Sequence, residues 1–239
     1  MTEAIILAGG MGTRLRDVVP DIPKSMAPIN GRPFLEHQMD YWIGQGVTRF
    51  VLSVGFRRGQ IMEHFGQHYR DCEVAYAEET TPLGTGGGLL LAIGKLKGSD
   101  PFLAMNGDTF FEVGLQSLSE FHHSKGAALS VALFDVAKND RYMGVQLNRD
   151  SIITSFKSEP GTSQLANGGI YLMERSLFED LPWYAGEKLS LEDDLFSHFQ
   201  RSGRKLCGMV CKGRFIDIGV PADYHRAAAV IESNRIEPH

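Results

Sequence analysis

The five-residue apolar run Ala4 to Ala8 breaks directly into Gly9-Gly10-Met11-Gly12-Thr13-Arg14-Leu15. A short apolar run closed by glycines reads as a buried strand. A glycine turn at the carboxyl end of a first strand is where open α/β sheets hold phosphate, because backbone N–H groups can approach the anion with no Cβ in the way. Two common forms of such a loop are absent. A P-loop needs Gly-x4-Gly-Lys-Ser/Thr and a dinucleotide fingerprint needs Gly-x-Gly-x-x-Gly, whereas Gly10-Met11-Gly12 continues as Thr13-Arg14-Leu15. Arg14 and then Lys24, in Asp21-Ile22-Pro23-Lys24, place two cations beside the loop, as a triphosphate requires.

Downstream, short apolar runs alternate with amphipathic stretches, the pattern of strands feeding helices in a mostly parallel sheet. Strands are expected at Ala4 to Ala8, Phe50 to Val54, Glu73 to Ala77 and Phe102 to Met105, with helices at Pro33 to Gln45, Gln60 to His68 and Gly88 to Leu96. After Asp108 the texture changes. A helix near Leu115 to His123 precedes strands at Ala128 to Phe134, Gly144 to Leu147, Ile152 to Phe156 and Gly168 to Met173. A helix from Leu191 to Arg201, capped by Ser190, leads to strands at Lys205 to Val210 and Arg214 to Asp217 and a terminal helix from Pro221. No Pro/Ser-rich linker or repeat separates the halves, so a single domain is expected, its second half building a substrate lobe over the first sheet.

Net charge is −5, which gives no field favouring a polyanion, so nucleic acid is a poor partner and phosphate must be held by a local set of donors. No basic n-region or long apolar span points to export or a membrane, and the protein reads as cytoplasmic. The three cysteines fit a reducing compartment. Cys207 and Cys211 on one strand would stand roughly 13 Å apart, too far for a shared ion or a disulfide. His122 and His123 are expected on a solvated helix face.

The string Leu7-Ala8-Gly9-Gly10-Met11-Gly12-Thr13-Arg14-Leu15 followed by Pro23-Lys24 resembles the signature of the sugar-1-phosphate nucleotidyltransferases. The resemblance implies a Rossmann-like, doubly wound, mixed and mostly parallel sheet, with a nucleotide-binding half at about 1–108 and a sugar-binding half at about 109–239. It implies transfer of a nucleotidyl group from a nucleoside triphosphate to a sugar 1-phosphate, with Mg²⁺ as cofactor, in a monomer or small homo-oligomer. It places Leu7, Ala8, Gly9, Gly10, Gly12 and Thr13 at the nucleotide and gives Arg14 and Lys24 catalytic roles.

Three further segments are similar to family motifs. Pro82-Leu83-Gly84-Thr85-Gly86-Gly87-Gly88 resembles the base-binding loop, with Gly84 and Thr85 at the base and Glu79 where relatives place a base-contacting Glu or Gln. A carboxylate there accepts from guanine's ring N–H and exocyclic amine together, a discrimination of about 1–3 kcal/mol, although it can also accept from uracil. Asn106-Gly107-Asp108 and Phe215-Ile216-Asp217 resemble the motifs whose aspartates hold the metal. Mg²⁺ takes one or two carboxylates plus phosphate oxygens, so Asp108 and Asp217 form a chemically sensible pair.

On the sugar side, Gly144, Asn167 and Gly168 stand in segments resembling the family's sugar contacts, and Glu159 occupies a position where the family often has a phosphate-binding lysine. Lys157 either reaches the site instead or is exposed. Glu192 reads as a first-turn glutamate supporting a helix dipole, with a pocket carboxylate as the alternative. The nucleophile, a phosphate oxygen, is largely ionised at pH 7, so no general base is called for and direct in-line displacement is expected. Within the family the segments look most like the subgroup that guanylylates a heptose 1-phosphate. Mannose 1-phosphate guanylyl and N-acetylmuramate 1-phosphate uridylyl transfer are the alternatives. A catalytically silent nucleotide-sugar sensor would be expected to lack Arg14, Lys24 or one of the aspartates, and all four are present.

Overall fold

The computed structural model describes residues 2–10, 12–15, 18–98, 100–136, 142–158 and 163–232. Strand β1 (Thr2–Leu7) leads through the glycine turn to a hairpin of β2 (Pro28–Ile29) and β3 (Arg32–Pro33). Next come α1 (Phe34–Gly44), β4 (Val47–Val54), α2 (Arg58–Phe65), β5 (His68–Tyr69), β6 (Cys72–Glu78), α3 (Gly84–Ile93) and β7 (Phe102–Asn106). The second half adds β8 (Thr109–Phe111), α4 (Leu115–Lys125), β9 (Leu129–Asp135), β10 (Gly144–Leu147), β11 (Ile153–Ser158) and β12 (Leu165–Met173). A π-helical segment, Leu191–Phe196, runs into α5 (Ser197–Arg201), followed by β13 (Leu206–Val210), β14 (Phe215–Asp217) and α6 (Pro221–Glu232).

Ten strands form one sheet in which β6, β4, β1 and β7 are parallel neighbours and β12 runs against β7. β12 also pairs antiparallel with β9, which carries β13 in parallel, and its first residues meet the β10–β11 hairpin. Seven of the ten strands therefore point one way, the exceptions being β5, β11 and β12. The two faces follow the period-two alternation of each strand. Ala4, Ile6, Phe50 and Leu52 face Met39 and Trp42 of α1, whereas Ile5 and Val51 face Leu89 and Ala92 of α3. A third cluster, including Leu15, Phe34, Phe110, Ile216 and Ala227, seats α6 beside the glycine turn. Among the described residues no helix is long and apolar enough to cross a membrane.

Boundaries shift where tertiary contacts override local preference. α3 begins at Gly84, four residues earlier than expected, so the second glycine cluster forms the first turns of the helix. The cause is close packing: a Cβ on Gly87 would lie 2.2 Å from the Glu187 carbonyl oxygen, and one on Gly86 2.9 Å from the Ser190 backbone. The expected helix 191–201 is present and Ser190 does cap it, accepting from the Asp193 N–H, but its first turns are π-helical. All three cysteines are free.

The solvated reading of His122 is corrected. His122 is only 2% exposed, and its Nδ1 lies 2.9 Å from the Ser130 hydroxyl, whereas His123 is on the exposed side. Burial, reinforced by the neighbouring His123, pushes the His122 pKa down to about 4. The folded protein thus holds His122 neutral where the unfolded chain would protonate it, so this stabilisation is complete above about pH 6.5 and is lost as pH falls toward 4. Wild type should lose roughly 3 kcal/mol more than a His122→Asn variant between pH 7 and pH 4. Urea unfolding at several pH values checks this, and parallel pH curves for the two proteins would contradict it.

Candidate active site

The carboxyl ends of β1, β4, β6 and β7 share one edge of the sheet, because Leu7 is level with Ser53 and Asn106, and Ser53 with Ala77. The loops leaving these strands converge there. The Gly107 N–H donates to the Leu7 carbonyl and the Ala8 N–H to that of Ser53. A cleft over this edge is lined by Leu7, Ala8, Gly10, Gly12, Arg14, Lys24, Ser25, Gly107, Asp108 and Gly219. Seven of the residues singled out in the sequence thus face one space. Thr13 opens the short 3₁₀ turn Thr13–Leu15 at its rim. Gly12 has a φ of 56° and lies against Lys24, whose Cβ would be 3.0 Å from a Cβ added at Gly12. A side chain at position 12 would be strained and would push Lys24 away.

Lys24 occupies the centre of the charge arrangement. Its Nζ is 2.5 Å from Asp108 Oδ2 and 3.6 Å from Asp217 Oδ1. The aspartates are brought together by the antiparallel pair β8–β14, in which Asp217 faces Thr109 and the Ile218 N–H donates to the Asp108 carbonyl. The Gly219 N–H donates to Asp217 Oδ1 at 2.6 Å, fixing the carboxylate. Two partly exposed carboxylates that already share one cation form a hard oxygen donor set, and they fit a divalent ion completed by phosphate oxygens and water. No group of three or more His, Cys, Asp or Glu able to hold a metal occurs among the described residues.

Glu79 does not line the cleft with the phosphate loop. It is 7% exposed, with Oε1 accepting from the Ser53 hydroxyl at 3.1 Å and Oε2 from the Leu83 N–H at 3.0 Å. A Cβ on Gly9 would come within 2.1 Å of Oε1. The carboxylate therefore joins the two glycine clusters, resting against Gly9 and holding the turn that begins α3. Gly84, with a φ of 72°, and Thr85 are exposed at that turn. The Thr85 hydroxyl accepts from the Leu191 N–H, tying it to the π-helix.

On the second half, β12 bends where its register with β9 shifts between Asn167 and Tyr171. Gly168 packs on the Phe111 ring, which would meet an added Cβ at 2.5 Å, and Gly144 packs against Ser158 and Ser163. Asn167 donates to the Tyr171 hydroxyl at 2.8 Å and to Glu192 Oε1 at 2.7 Å. Glu192 is thus more than a first-turn acid, because it reaches across to the bent strand. Lys157 pairs with Asp193 on the surface. Glu159 lies outside the described residues.

Gln38 was not singled out in the sequence. It is 1% exposed and donates through Nε2 to the Asn106 and Thr109 carbonyls on either side of Asp108. Its sequence signal was a glutamine on the apolar face of α1, between Leu35 and Trp42. Ser53 carried no such signal.

This fold and cleft define a nucleotidyltransferase, and the chain belongs to the nucleotidyl transferase family, whose model matches residues 3–234. It is 39% identical over 226 residues to the D-glycero-α-D-manno-heptose 1-phosphate guanylyltransferase of Aneurinibacillus thermoaerophilus, covering 94% of this chain and 96% of the relative. It is 37% identical over 224 residues to the Campylobacter jejuni enzyme of the same name, covering 93% and 97%. Its backbone matches the crystal structure of HddC from Yersinia pseudotuberculosis complexed with GMP-PN, with a TM-score of 0.83, 32% identity and coverage of 96% and 99%.

The contact between Gly9 and Glu79 makes a direct prediction. Gly9→Ala places a methyl where the carboxylate lies, displacing it from Ser53 and Leu83 and loosening both loops. The nucleotide KM should rise about tenfold or more, with far-UV circular dichroism unchanged. An unaltered nucleotide KM would show that the contact does not couple the loops.

Proposed function

We propose that the protein is a Mg²⁺-dependent guanylyltransferase that acts in the cytoplasm on GTP and D-glycero-α-D-manno-heptose 1-phosphate, yielding the GDP-sugar and pyrophosphate. The observation that carries this reading is the placement of Lys24 between Asp108 and Asp217 beside the glycine turn, with Arg14 at the rim. The identity to two heptose 1-phosphate guanylyltransferases supports the choice of sugar and base.

In the reaction a phosphate oxygen of the sugar 1-phosphate forms a bond to the α-phosphorus. The bond from that phosphorus to the oxygen bridging the α- and β-phosphates breaks, and its electron pair leaves with pyrophosphate. The attacking oxygen is already largely ionised at neutral pH, so the chain needs no base to activate it. Its task is to align two anions that repel one another and to offset charge as the leaving group departs. The backbone of residues 8–10 and 12–13 cradles the phosphates, while Lys24 and Arg14 supply fixed positive charge. Glu79, Gly84 and Thr85 form the base side, Glu79 by holding the loop in register. Gly144, Asn167, Gly168 and Glu159 belong to the sugar side. Asp108 and Asp217 would hold Mg²⁺, which when bound offsets phosphate charge.

The test is pyrophosphate release from the protein and Mg²⁺ with GTP, UTP, CTP, ATP or dTTP against a panel of sugar 1-phosphates. GTP with the heptose 1-phosphate should give the highest kcat/KM. Release with no pair would remove the enzymatic reading, and a preference for UTP would remove the guanylyl assignment. Asp108→Asn should lower kcat by about 10²–10³-fold without unfolding the protein. Unchanged turnover would take Asp108 out of the site.

A further inference from the structure

We propose that Glu192 is the acceptor for sugar hydroxyl groups, a specificity-determining residue held in position by Asn167. This rests on the sugar 1-phosphate reading and names the chemistry of the sugar end of the site. Three consecutive acids begin the π-helix, and they are used differently. Asp193 pairs with Lys157, and Asp194 accepts the Ser190 N–H at 2.7 Å. Glu192 is exposed, and its hydrogen-bond partner among the described residues is the neutral amide of Asn167.

That amide is fully committed. Its Oδ1 accepts from the Gly169 N–H at 2.9 Å, while Nδ2 serves both Tyr171 and Glu192. Tyr171 is buried and hydrogen-bonded in turn to the Asn106 side chain, two residues before Asp108. One polar line therefore runs from the phosphate end of the site to Glu192. The Tyr171 hydroxyl is held above the usual phenol range, first by burial and then by the charge of Glu192, with a smaller contribution from Asp108. On its other side the π-helix is tied to the base loop through Leu191 and Thr85 and seated by Phe196 against Tyr171.

An exposed carboxylate on a mobile surface turn would lose side-chain freedom on meeting a ligand. This one is already oriented, with one oxygen held and the other open to accept, and charged acceptors form the stronger hydrogen bonds to hydroxyls. A polyhydroxylated sugar supplies the donors. The heptose differs from mannose by one further carbon bearing a hydroxyl, so its side arm offers a vicinal diol whose O–H groups can donate to the open carboxylate oxygen.

Glu192→Gln tests the assignment, because the amide oxygen can still accept from Asn167 while charge and one acceptor are lost. The KM for the heptose 1-phosphate should rise about tenfold, equivalent to about 1.4 kcal/mol, with the KM for GTP and the Tm unchanged. A sugar KM within twofold of wild type overturns the proposal, as does a parallel rise in both KM values, which would mean a structural role. Wild type active only with another sugar 1-phosphate would overturn the heptose reading alone, and the Glu192 criterion then applies to that sugar. No activity with any sugar 1-phosphate overturns both.

Discussion

The arrangement of the site depends on one ammonium group set between two carboxylates. Asp108 lies just beyond the end of β7 and Asp217 ends β14, and Lys24 reaches both. Two like charges would not stay side by side without that cation or one that replaces it. The backbone is built to keep them there. β8 and β14 pair across the gap, and Arg214 forms a forked ion pair with Glu112 just beyond that pairing, through Nε at 2.9 Å and Nη2 at 2.5 Å. Gln38, from a helix on the other side, fixes the turn carrying Asp108. Charge, strand pairing and a buried amide thus converge on a few atoms.

The same economy explains how a chain with a net charge of −5 can bind a triphosphate. In the described lining of the cleft, positive charge comes from Arg14 and Lys24, with the N–H groups of the glycine turn beside them, while the net negative charge of the whole chain repels polyanions. Glycine makes up 27 of 239 residues against a usual level of roughly 7%, and part of it sits where backbones or side chains meet closely. Gly9 makes room for Glu79, Gly86 and Gly87 for the 187–190 backbone, and Gly168 for Phe111. At these positions glycine lets two parts of the protein approach each other.

The strand and helix order was legible because each buried strand is an apolar run closed by a turn residue, and the helices between them carry three-to-four spacing. Ends were less legible where packing decides, as at α3, whose glycines would not nominate a helix start without the 187–190 backbone lying against them. The glycine-turn residues that line the cleft were readable together because Leu7 to Arg14 are contiguous in the sequence. Asn167 and Glu192 were read separately and their contact was not, since 25 residues separate them and only the bend in β12 aligns them. His122 was misread because helical spacing alone did not show which of two adjacent histidines faces β9. Glu79 was singled out in the sequence, yet its burial between the loops is a property of the assembled sheet edge.

The proposed metal site joins Asp108 and Asp217 on one divalent ion at the phosphates. Its most direct measurement is the affinity of Mn²⁺ for protein saturated with a non-hydrolysable GTP analogue, read from loss of the free-ion EPR signal. Wild type should bind Mn²⁺ about tenfold or more tightly than an Asp108→Asn/Asp217→Asn double variant, which should approach the affinity of the analogue alone. Equal affinities in the two proteins would mean that the two aspartates do not hold the ion.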